Sequence, residues 1–137
     1  MASSFHSAQA HLVSRFSTLS LPAYEAGAVP SDATHPYYTY DLTPSPDTQT
    51  KLGSAWARYE AVLRVVGQGS SWALKEYVEE LEGAFGASTG ESYGGVVHTR
   101  KIAPMRLPPY YRSGSNTPYQ EIGLRASVRV EPVEVNA

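Results

Sequence analysis

Glu121-Ile122-Gly123-Leu124-Arg125-Ala126-Ser127-Val128-Arg129-Val130-Glu131 alternates without a break. Ile122, Leu124, Ala126, Val128 and Val130 fall on one side; Arg125, Ser127, Arg129 and Glu131 fall on the other. Successive side chains of a strand point to opposite faces, so this stretch reads as a strand with one buried face and one wet face. Upstream, Ala55 to Val66 reads the same way, with Ala57, Tyr59, Ala61, Leu63 and Val65 alternating with Trp56, Arg58, Glu60, Val62 and Arg64. Two further strands are predicted, Pro36 to Leu42, with Tyr38, Tyr40 and Leu42 on one side, and Val96 to Ile102. Two-sided strands of this kind belong to a mainly antiparallel sheet that has one face to cover.

Two amphipathic helices supply the cover. Phe5, Ala8, Leu12, Phe16 and Leu19 recur at spacings of three and four, which predicts a first helix ending before Pro22. Leu74, Tyr77, Val78, Leu81 and Phe85 form the inward stripe of a second helix over Trp72 to Phe85, whose outer surface carries Glu76, Glu79, Glu80 and Glu82. Ser70 or Ser71 is its natural N-cap, after the turn Gly67-Gln68-Gly69. Residues 22–35 read as a loop or an irregular edge strand, Pro44 to Ser54 as a polar connection, and 86–95 as a flexible Gly-rich link. Ala103 to Gln120 holds four prolines and no periodicity, and reads as a long irregular loop. The expected fold is therefore α+β: a mainly antiparallel sheet joined by hairpins and meander links, two helices packed on one face, and a long Pro/Tyr-rich loop.

The 137 residues suit a single domain spanning 1–137. Cysteine is absent, which removes disulfides, thiolate catalysis and cysteine-ligated metals. A formal net charge of −2 argues against a global attraction to nucleic acid or acidic lipid. No stretch approaches the roughly 20 apolar residues of a membrane span. Met1 to Phe16 lacks the basic start and apolar run of a signal peptide, so the chain is expected to stay where it is made or to leave inside a larger particle.

Motifs for catalysis are not evident. The four histidines, at 6, 11, 35 and 98, show no HxH, HxxxH or HExxH spacing; His6 and His11 read as solvated helix residues. Gly67-Gln68-Gly69-Ser70-Ser71 lacks the lysine and the wider glycine spacing of a phosphate loop, and no GxSxG elbow occurs. The chain is accordingly expected not to be an enzyme and to need no cofactor or metal. Charge and aromatic content point elsewhere. Six of the eleven Lys and Arg residues lie between 100 and 129 (Arg100, Lys101, Arg106, Arg112, Arg125, Arg129), against an acidic second helix. Opposite patches on one chain attract copies of it head to tail. The loop around Arg106, Pro108, Pro109, Tyr110, Tyr111, Arg112 and Tyr119 adds residue types enriched at contact hot spots, with little entropy to lose on docking. The interface residues expected on these grounds are that set together with Arg100, Glu76, Glu79 and Glu80.

In size and element order the chain resembles the tail terminator proteins of lambda-like long-tailed bacteriophages. The pieces that carry the resemblance are Phe5 to Leu19, His35-Pro36-Tyr37-Tyr38-Thr39-Tyr40, Arg58 to Val66, Trp72 to Phe85 and Arg125-Ala126-Ser127-Val128-Arg129-Val130. The resemblance is one of pattern and covers nearly the whole chain. It implies a non-enzymatic virion protein, made in the host cytoplasm. Such a protein forms a homo-hexameric ring that caps the tail tube, stops its growth and joins it to the head connector, with at most passing contact with DNA in the channel. By that analogy the loops at 103–120 and 86–95 reach neighbouring subunits or stacked rings. Other tail or neck ring proteins share the layout. Two alternatives of another class are a small ligand-binding or enzymatic domain, built on His98, Tyr40 and Arg100, and a nucleic-acid-binding accessory protein.

Overall fold

In the computed structural model, which describes residues 4–45, 57–69, 71–92, 95–111 and 116–132, the chain runs α1 (Ser4–Phe16), β1 (Ala23–Glu25), β2 (Tyr37–Pro44), β3 (Ala57–Gln68), α2 (Ser71–Phe85), β4 (Ala87–Ser92), β5 (Gly95–Arg106) and β6 (Tyr119–Pro132). Most of the expected connection at Pro44 to Ser54, with Ala55, Trp56, Ser70 and Arg112, lies outside the described residues.

The strands form one sheet in the order β1-β2-β3-β6-β5-β4, antiparallel except where the short β1 runs parallel to β2. The α+β class and the mainly antiparallel sheet are as expected, but the connectivity is not a succession of neighbouring hairpins. The last strand returns to the middle, between β3 and β5. Its composition explains the placement: Leu124, Ala126 and Val128 have no exposure, and Ile122 and Val130 have little. A strand apolar along one whole face is best buried at the centre of the layer that the helices cover. Gly123 fits β6 closely against β3; a Cβ there would stand 1.8 Å from the Leu63 carbonyl oxygen.

Both helices lie on the same sheet face. Ala8, Leu12 and Phe16 of α1 and Leu74, Leu81, Ala84 and Phe85 of α2 share one core with Leu63, Val65, Leu124 and Val128. Phe16 joins the layers: its ring centroid is 4.8 Å from Phe85 and 5.5 Å from both Tyr38 and Tyr40. α1 stops at Phe16, three residues earlier than its apolar stripe implies. The Ser17 hydroxyl donates to the Ser14 carbonyl at 2.6 Å and the Thr18 hydroxyl to the Arg15 carbonyl at 2.7 Å. Such local bonds compete with the helical ladder. Leu19 still packs against the core from the turn that follows.

Three further expectations are corrected. Residues 87–92 of the supposed flexible link form β4, paired with β5 along its whole length. The small residues serve close packing: a Cβ on Gly90 would stand 3.0 Å from the His11 ring, and one on Gly95 would stand 2.8 Å from Val130 and 3.3 Å from the Ser7 hydroxyl. His11 is therefore not solvated but 5% exposed, with Nε2 3.2 Å from the Ser88 hydroxyl, which in turn bonds the Thr99 hydroxyl. Finally, the irregular stretch is shorter than 103–120. β5 continues to Arg106 past a bulge between Lys101 and Ala103, and β6 begins at Tyr119.

Candidate interaction surfaces

The sheet face away from the helices carries the side chains that alternation made polar, and they change character along the strands. At one end rings gather: Tyr24 on Tyr37 (5.6 Å), Tyr37 on His35 (5.0 Å), His35 on Tyr119 (5.0 Å) and Tyr119 stacked on Tyr110 (6.0 Å). Tyr110 and Tyr119 exchange backbone hydrogen bonds, and the Tyr110 hydroxyl donates to Glu121, which also accepts from Arg64 at 2.9 Å. Tyr119, 9% exposed, is thus committed to the chain's own fold, and Tyr110 is half-buried beside it. The segment after Arg106 folds back over its own sheet at Tyr110, because a tyrosine ring is costly to leave wet and its hydroxyl finds a carboxylate partner here.

Mid-face, Arg125 reaches Glu60 at 2.7 Å through one terminal nitrogen and at 2.8 Å through Nε. That guanidinium holds the Glu60 carboxyl below the usual carboxylate range. At the far end Arg58, His98, Arg100, Ser127 and Arg129 line a cleft of about 310 Å³. His98 Nε2 lies 3.5 Å from Glu131. Tyr40, grouped with His98 and Arg100 as a pocket by the sequence alternative, is on the helix side instead, where its ring meets Phe16. It lines a different groove, of about 440 Å³, between α1 and β1.

On the helix side, the four glutamates of α2 separate into two pairs. Glu80 accepts from the Ser20 backbone (3.0 Å) and hydroxyl (2.8 Å). Together with burial, its charge pushes the Tyr38 hydroxyl pKa upward. Glu82 pairs with Lys101 at 2.6 Å. Glu76 and Glu79 point to solvent in the same stripe as Trp72, which is 78% exposed and has the Lys75 ammonium 5.1 Å from its ring centre. Trp72 and Lys75 stand over a groove of about 400 Å³ completed by Val78, Pro104, Met105 and Arg106. From its wall the chain passes directly into Leu107, Pro108, Pro109 and Tyr111, all exposed, Tyr111 to 67%. Large apolar groups left in water at α2, β5 and the following loop are the least expected feature of this surface.

Of the residues expected at an interface, Glu76, Glu79, Arg106, Pro108, Pro109 and Tyr111 come to this end. Arg100 belongs to the cleft on the opposite face, Glu80 is engaged internally, Tyr110 and Tyr119 anchor the loop, and Arg112 lies outside the described residues. Trp72 was missed as a surface residue, having been read only as the start of a helix. No group of three or more His, Asp or Glu suited to a metal occurs among the described residues, and no helix among them is long and apolar enough to cross a membrane. Neither the family models nor the curated proteins searched give a match to this chain.

Proposed function

We propose that this chain is a structural virion protein that assembles with copies of itself into a ring, which caps a phage tail tube, ends its polymerisation and joins it to the head connector. The observation that carries the reading is the pairing of an open apolar groove under Trp72 with the exposed Leu107, Pro108, Pro109 and Tyr111 of a loop on the same chain. The two patches differ, so a copy that offers its loop to a neighbour's groove keeps its own groove free for a third copy. Such heterologous contacts close into rings where the rotation allows. Charge supports the same occupant: Arg112, which follows the loop in sequence, is opposite in sign to Glu76 and Glu79 beside the neighbour's groove. The work required is docking, and no bond-making step is assigned to any residue. Size and element order resemble those of the tail terminators, which supports the tail tube and the head connector as the partners of the two ring faces.

Mass photometry of the purified chain, alone and with tail-tube protein, tests the reading. The expected result is a discrete multimer, consistent with a hexamer, that binds tube ends and shortens tubes grown in its presence. A species that stays monomeric and leaves tube length unchanged contradicts it.

A further inference from the structure

The two edges of the sheet are not alike. β1 is short and closes on itself: Pro22 before it has no N–H to offer, and the Glu25 carbonyl accepts from the Ala28 N–H at 2.9 Å. β4, at the other edge, pairs with β5 and, among the described residues, with no other strand. Where the β4–β5 register continues back to Gly86 and Lys101, the Lys101 N–H donates to the Gly86 carbonyl at 3.0 Å. Hydrogen-bonded and non-hydrogen-bonded pairs alternate along an antiparallel ladder. Ser88 and Gly90 therefore turn their backbone groups to β5, and Ala87, Thr89 and Glu91 turn theirs outward. Nothing among the described residues bonds to these outward N–H and C=O groups, and all three side chains are exposed. Proteins guard such an edge with Pro, Lys or a bulge; residues 87–91 read Ala-Ser-Thr-Gly-Glu, in unbroken register.

We propose that β4 pairs with β4 of a second copy, antiparallel about a two-fold axis at Thr89. Unbonded backbone groups at every second residue are matched by another extended backbone, and an antiparallel strand is its own complement. In this register Ala87 faces Glu91 of the second copy, Thr89 faces Thr89, and each such pair exchanges two hydrogen bonds. A threonine pair across strands is favourable, and the two Glu91 carboxylates stand apart; parallel pairing in register would set them side by side. Ser88 faces Gly90 between these pairs, so no bulk opposes the approach. The edge follows the C-terminal end of α2, whereas the groove under Trp72 lies at its N-terminal end, and the proposal does not rest on the ring. So short an edge buries far less than the roughly 800 Å² per partner of a stable complex, so the pair is transient in dilute solution and is read by trapping it.

Disulfide trapping of single-cysteine variants tests it, because the chain has no cysteine of its own. Hydrogen-bonded partners stand about 5.5 Å apart between Cα atoms, within reach of a disulfide. In an oxidising glutathione buffer Thr89→Cys should dimerise at least about tenfold faster than Ala87→Cys or Glu91→Cys, since like positions at 87 or 91 lie about 14 Å apart in this register. An equal mixture of Ala87→Cys and Glu91→Cys should recover the fast rate as a mixed dimer. All three positions are exposed, and the Thr89 contact with the His98 ring at 3.1 Å is an exposed one, so the variants should melt like the parent. Glu91→Pro added to Thr89→Cys removes an outward N–H, leaves the ladder to β5 intact, and should slow the trapping by about tenfold. Made in the Trp72→Ser chain, the whole set reports on the edge without the ring contact. Three cysteine variants that dimerise at one rate, a mixture no faster than its components, or a folded proline variant trapped as fast as its parent each overturn the proposal.

Discussion

His11 shows how one side chain ties three elements together. Its ring sits under α1 against Gly90, bonds Ser88 of β4, and through that hydroxyl reaches Thr99 of β5. Burial, with Arg15 and His98 adding to it, holds the imidazole below its ordinary value. The unfolded chain, with an ordinary histidine near 6.5, then binds the proton more readily than the folded one. The contribution to stability is flat above about pH 7 and falls as the pH drops through about 6.5, levelling out only when the folded group itself protonates. For one proton the slope is no steeper than about 1.4 kcal/mol per pH unit. Denaturant melts of the parent and His11→Gln between pH 7.5 and 5 should show the parent losing more stability than the variant. Parallel pH profiles would refute the assignment.

At the scale of elements, the segment from Leu107 to Pro118 has an anchor and a free part. Tyr110 is the anchor, stacked on Tyr119 and bonded to Glu121, while Leu107, Pro108, Pro109 and Tyr111 stand outside. Tyr110→Phe keeps the ring and removes the bond to a charged acceptor, which costs about 1.5 kcal/mol. Limited proteolysis should cut within 107–118 faster in that variant, well below its melting temperature. Unchanged cutting would show that the hydroxyl contributes nothing to holding the loop. The elements legible in the sequence were those whose burial is apolar and periodic: the stripe of α2 and the alternation of β3 and β6. β4 was hidden because its contact with α1 is made by Ser88 and Gly90, small residues that carry no hydrophobic pattern and resemble a linker. His11 was hidden for the same reason, since a polar ring satisfied by a hydroxyl looks in sequence like a solvated one. The central place of β6 was also unreadable, because alternation reports which face is buried and says little about which strand lies beside it.

At the scale of the whole molecule, the two faces of the sheet present different surfaces. The helix side ends in a groove under Trp72 and an exposed loop, and the open side ends in a cleft lined by Arg58, His98, Arg100, Ser127 and Arg129. Of the candidate surface, the loop and the acidic helix were readable from composition. The groove was not, because it forms only where α2 crosses β5; of the cleft, His98 and Arg100 were picked out, but Arg58, Ser127 and Arg129 were not, because their place depends on the register of three strands. The central claim is that the loop of one copy fills the groove of the next. Trp72→Ser removes the groove's wall and Tyr111→Ser the loop's tip; both side chains are exposed, so both variants should melt like the parent. Loss of either hot-spot aromatic weakens the contact by about 2 kcal/mol or more, roughly 30-fold. The most direct measurement is sedimentation velocity of the two variants, separately and mixed in equal amounts. Each alone should sediment as a monomer, and the mixture should form a one-to-one pair, because the intact loop of the first still fits the intact groove of the second. A mixture that stays monomeric while the parent assembles, or variants that assemble as well as the parent, would contradict the account.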